Sequence, residues 1–177
     1  LSSKRKYYDM AMSVFESVYP LLGSIATDNS LSTGLAGIGW MVEYMAQSSL
    51  TENDTDDILE EICTIMDGFN PLDQLSGGDR FDNELVLNVL EYGVYYLSRI
   101  RNSKHNPAQN SQHLTEKYIL FQLIDLLDTQ KTYFLNESED SNKKELLSAI
   151  VWFLGSLQKQ NIVHSKLSNL TKCYAKK

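Results

Sequence analysis

The stretch "SLSTGLAGIGWMVEYMA", residues 30–46, decides how the rest of the chain is read. Gly34, Gly37 and Gly39 stand within six residues. They run into an apolar segment with Leu35, Ile38, Met41, Val42 and Met45 at three-and-four spacing, the period of an amphipathic helix. Glycine weakens a helix, so three at the mouth of one point to a phosphate loop, a hinge or a close approach between helices. A dinucleotide fingerprint needs G-x-G-x-x-G after a strand, inside a βαβ unit. Here the order is G-x-x-G-x-G, and the polar loop "GSIATDNSLST" (23–33) precedes it. A Walker loop ends in Lys-Ser/Thr, and Trp40 stands in that position. Close backbone approach survives: Gly37 and Gly39 have no Cβ to hold a neighbouring helix or loop away. The amides near Gly34 are open to a cap, a carboxylate or water.

Helical periodicity runs through the remainder, and no period-2 strand is visible. The spacing predicts helices over about 3–22, 34–48, 55–69, 83–101, 114–135, 142–159 and 163–175. The first carries a stripe of Tyr7, Met10, Val14, Phe15, Val18 and Leu22. Ile58, Leu59, Ile62, Ile65 and Met66 are the buried set of the third. The fifth places Tyr118, Phe121, Leu123, Ile124, Leu127 and Phe134 on its apolar side. The sixth is apolar around most of its girth, from Leu146 to Leu157, and is expected to be the most buried. The whole chain, 1–177, reads as one all-α domain of antiparallel helical hairpins.

Composition narrows the function. The chain has 177 residues, a net charge of −7 and a pI near 4.9. Nucleic-acid binding rests on Lys/Arg neutralising phosphates, so no nucleic-acid partner is expected. No apolar run reaches the roughly 18–20 residues of a membrane span. The start, "LSSKRKYYDM", has no apolar run after its basic residues, so it does not read as a signal peptide. Cys63 and Cys173 stand far apart and read as free thiols in a reducing, cytoplasmic setting.

Three segments align: "GWMVEYMAQS" from Gly39, "GVYYLSRIRN" from Gly93 and "IVWFLGSLQK" from Ile150, at steps of 54 and 57 residues. Each is preceded by another predicted helix, so the repeating unit is a helical hairpin. Only the first copy keeps the full glycine cluster. In the second it has shrunk to Gly93, and in the third Ala149 and Ile150 replace it.

A Gly-x-x-Gly-Ile-Gly stretch opening an apolar helix, in hairpins repeated every fifty-odd residues, resembles the lanthionine synthetase C-like family. "TGLAGIGWMVEYMAQ" is close to its repeat signature, and "VLEYGVYYLSRIRN" is similar to a worn second copy. The resemblance implies an α/α toroid, with an inner ring of helices carrying the glycine motifs Gly34, Gly37, Gly39 and Gly93. It also implies association with ribosomal peptide modification. Catalytic members bind zinc through two cysteines and a histidine, and the zinc activates a peptide thiol for addition to a dehydroamino acid. Their adjacent Cys-His pair is missing here, and a complete toroid needs about twice this length. The chain therefore reads as a short relative or a piece of a longer one, forming a partial toroid without the zinc chemistry.

Cys63, Cys173, His164 and a loop histidine, His105 or His113, have no recognised metal-ligand spacing. Neither a catalytic residue, a metal site nor a cofactor is assigned. Trp40 and Glu43 lie one helical turn apart beside Tyr44, a face suited to a peptide or a cationic group. Tyr92, Tyr95 and Tyr96 fall on a candidate inner helix, where they either pack or line a concave, peptide-binding surface. An incomplete ring exposes inner-helix flanks that a protein partner or a second copy would cover. A non-catalytic scaffold for peptide or protein binding is the alternative reading.

Overall fold

The computed structural model describes residues 30–48, 55–67, 72–73, 83–103, 114–136 and 141–176, with positions 5–7, 9, 10, 13, 14 and 17 of an N-terminal helix. From residue 30 onward the helices are α1 (Leu35–Gln47), α2 (Thr55–Asp67), α3 (Asn83–Ser103), α4 (Leu114–Thr129), α5 (Lys131–Leu135), α6 (Ser141–Lys159) and α7 (Leu167–Tyr174). No strand occurs among the described residues. The protein is all-α. No helix among the described residues is long and apolar enough to cross a membrane.

The helices that carry repeat positions 39, 93 and 150 form one row, with α1 and α6 on either side of α3. Each is backed by the next long or terminal helix in the chain: α2 packs on α1, α4 on α3 and α7 on α6. Side-chain pairs give the directions. Gly39 meets Tyr95, Glu43 meets Arg99 and the Leu31 amide meets Glu91. Positions rise together, so α1 and α3 run parallel. Between α3 and α4, Gly93 faces Leu123 and Arg99 faces Glu116, so that pair is antiparallel. Two buried phenols tie the backing helices down, Tyr96 donating to the Met66 carbonyl and Tyr174 to the Leu127 carbonyl.

Burial departs from the stripes expected of several helices. On α1 the buried face is Leu35, Ala36, Gly39, Val42 and Glu43, whereas Met41 is exposed. The glycine lets α3 in at position 39, so the buried face centres there, with Ile38 and Met45 half-buried at its edge. Ile65 and Tyr118 are exposed as well. The most buried helix is α3 rather than α6, because only α3 has row neighbours on both flanks. From Tyr92 to Ile100 every residue but Val94 is buried.

The helix expected over 114–135 breaks at Gln130, leaving α4 and the short α5. At that end the Thr129 hydroxyl donates back to the Asp125 carbonyl, as Ser148 and Ser156 do to their own helix within the unbroken α6. The last helix begins at Leu167 rather than 163 and docks through Leu167, Leu170 and Tyr174. On the N-terminal helix Tyr7, Met10 and Val14 are exposed and not a buried stripe. Phe15, Val18 and Leu22 lie outside the described residues, as do the loop histidines His105 and His113.

Candidate functional site

The α1 entry is built by the turn before it. The Ser30 carbonyl accepts the amides of Gly34 and Gly37, and the Glu91 carboxylate of α3 accepts the Leu31 amide at 3.0 Å. A carboxylate therefore serves this helix mouth, one turn ahead of Gly34. A Cβ on Gly37 would overlap the Leu31 carbonyl, so the glycine lets the turn fold back onto the helix. A Cβ on Gly39 would run into the Tyr95 ring, and one on Gly93 into Phe153 and Leu123.

Beneath this lies a buried charge cluster. Arg99 donates to Glu43 Oε1 at 2.8 Å, and Glu116 Oε1 lies 3.8 Å from its Nε. Burial disfavours the guanidinium charge, but its acidic neighbours, among them the hydrogen-bonded Glu43, outweigh it and hold Arg99 above its ordinary value. Burial, then Cys63, pushes the Tyr95 phenol well above its usual range. Its oxygen lies 3.7 Å from Cys63 Sγ. One residue each from α1 and α4 thus meets α3 through charge, and Cys63 of α2 meets it beside the same spot.

Above the row is a groove of about 590 Å³, lined by residues of α1, α3 and α6 and by the turn before α1. Both tryptophans of the chain line it. Trp40 is 40% exposed, and Trp152, from the neighbour on the other flank of α3, is 58% exposed. Tyr44 stacks on Trp40, with ring centroids 5.6 Å apart and planes 18° off parallel. Val94 and Leu97 of α3 supply an apolar surface between them, and Gln47, Ser156 and Gln160 add hydrogen-bonding groups.

Of the residues expected to bind, Trp40 and Tyr44 are at this groove. Glu43, fully buried, and Tyr92, Tyr95 and Tyr96 are in the interior. The face expected to join Trp40 and Glu43 is therefore divided. Glu43 turns under α1 to neutralise Arg99, and the three tyrosines pack instead of lining a concave surface. Trp152, Arg101 and Glu91 were not singled out by sequence reasoning. A signal existed: Trp152 and Ser156 on α6 and Gln160 just after it are spaced by four, in a segment whose other residues from Leu146 to Leu157 are mostly apolar.

Cys63 and Cys173 form no disulfide. His164 sits beside Asp125, at 3.8 Å, and against the Phe121 ring. Among the described residues, no group of three His, Cys, Asp or Glu side chains gathers as a metal site would require. Comparison with known proteins finds no matching family model, no matching curated protein and no matching solved structure.

Proposed function

We propose that the groove over α3 binds an extended peptide segment and that the chain is a non-catalytic peptide-binding domain. The observation that carries this is the placement of both tryptophans, exposed, on the two flanks of one groove. Tryptophan is costly to leave in water and is enriched where partners bind. A cleft of this volume, mostly apolar with a few polar groups, suits a small ligand or a few peptide residues.

The lanthionine synthetase C-like reading gives this a setting. The row α1, α3, α6 with its backing layer fits an arc of an α/α toroid, glycines sitting where the row helices approach. On that reading the bound segment is a ribosomal peptide under modification in the cytoplasm, and the open ends of the arc take a partner or a second copy. On that reading the bond-forming chemistry lies outside these 177 residues, which lack the family's adjacent Cys-His pair.

Titration of tryptophan fluorescence with a pool of short synthetic peptides tests the binding claim. Saturable quenching or a spectral shift is expected, reduced at least tenfold in affinity by Trp152→Ala. Unchanged affinity in Trp152→Ala and in Trp40→Ala would remove the groove as the site. Incubation with zinc and a peptide carrying one cysteine and one dehydroalanine tests the second claim. Thiol addition across the double bond conserves mass, so free thiol is counted by alkylation, and no loss of thiol is expected.

A further inference from the structure

Two of the described lining residues are charged, and they differ in sign: Glu91 and Arg101. Both are on α3, ten residues apart, which at 1.5 Å per residue separates them by about 15 Å along the helix. Leu97 and the aromatic walls, Trp40 with Tyr44 on one side and Trp152 on the other, stand between them. The Glu91 end is held in place, because its carboxylate anchors the turn before α1. The Arg101 end is exposed, in the last turn of α3.

We propose that the groove selects a peptide segment with a basic and an acidic side chain four residues apart and an apolar side chain midway. This rests on the peptide-binding reading above. An extended chain advances about 3.3 Å per residue, so 15 Å is spanned by roughly four to five residues. Side chains at i, i+2 and i+4 of an extended segment share one face. The basic group then meets Glu91, the apolar one enters between the aromatic walls, and the acidic one meets Arg101. A segment with like charges at both ends sets one of them against a groove residue of its own sign. Two weak pairs of opposite sign contribute selectivity more than affinity.

Blocked pentapeptides with alanine at the second and fourth positions and phenylalanine at the third test this. Phenylalanine leaves the protein tryptophans as the fluorescent probe. The peptide with lysine first and glutamate last is expected to bind roughly two- to fivefold more tightly than the versions with lysine at both ends or glutamate at both ends, the range of exposed ion pairs. The preference should shrink in 0.5 M salt, as screened charges require. In Arg101→Glu the lysine-lysine peptide should become the tightest. Glu91 is left unaltered because it also holds the Leu31 amide. Equal binding of all three peptides, or an unchanged order in Arg101→Glu, overturns the charge rule and leaves the groove reading standing. Absence of binding by all three overturns both.

Discussion

The two seams of the helix row are closed by different physics. Between α1 and α3 a glycine meets a tyrosine ring, and next to it a carboxylate meets a guanidinium out of water. Between α3 and α6 a glycine meets a phenylalanine ring, and the atoms nearest to it are all apolar. An apolar seam tolerates a slide by a fraction of a turn as long as volume is conserved. A buried charge pair does not, because a slide strands both charges. The first seam therefore sets the register of α1 and, through Glu116, the approach of α4. The second seam adds burial.

The largest effect should come from removing the charge that both carboxylates share. Arg99→Met leaves Glu43 and Glu116 buried without their cation, and breaking such a cluster costs about 3–5 kcal/mol. Glu43→Gln keeps a carbonyl at the same place and leaves Arg99 balanced by Glu116, so it should cost only about 1 kcal/mol. Urea unfolding midpoints at constant slope give both numbers. A cost of about 1 kcal/mol or less for Arg99→Met would mean that the charges are not what closes this seam.

The second seam is tested by volume. Gly93→Ala places a methyl 2.7 Å from Phe153 Cε2 and 2.9 Å from Leu123 Cδ1, inside the core between α3, α4 and α6. Overpacking of this kind costs about 1–3 kcal/mol. The same unfolding measurement serves, and a stabilised Gly93→Ala would show that the ring and the leucine yield freely.

The helices were legible because the apolar period is strong and the loops are polar. Their pairing was not: the hairpin unit was expected to join each row helix to the one before it, and each is backed by the one after it. The break at Gln130 was not legible either, since no proline or glycine marks it. Glycine spacing pointed to close approach at positions 37 and 39, but not to what would approach. Glu43 shows the limit most clearly. On one helix it lies a turn from Trp40 and invites a shared face. Its place is decided by Arg99, 56 residues away, which no periodicity within α1 contains. Tyr95 and Tyr96 are similar: an aromatic run on a helix is compatible with a lined cavity or a packed core, and neighbours on both flanks of α3 chose the core. Half of the groove was visible in Trp40 and Tyr44. The other half, Trp152, required knowing that α6 lies beside α3.

A glycine outside the seams gives the opposite sign. Gly155 is on α6, and a Cβ there would meet nothing within 4 Å. Gly155→Ala should stabilise the chain by about 0.5–1 kcal/mol, the usual difference in a helix interior. Placed beside Gly93→Ala, it separates the backbone cost of glycine from its packing role. Destabilisation at both positions would mean that α6 sits closer to a neighbour at Gly155 than the fold shows.

The smallest effect on stability is expected where the effect on binding is largest. Trp152 is more than half exposed, on the side of α6 away from Leu146, Ile150 and Leu157. Its truncation removes little buried contact and no buried partner, so Trp152→Ala should change stability by no more than about 0.5 kcal/mol. A tryptophan kept for the fold behaves in the opposite way, because burying a large aromatic and then deleting it costs about 3–5 kcal/mol. The midpoint of Trp152→Ala, measured beside its peptide affinity, therefore distinguishes the two roles. A large loss of stability would assign Trp152 to the α3–α6 seam and leave the groove with one aromatic wall.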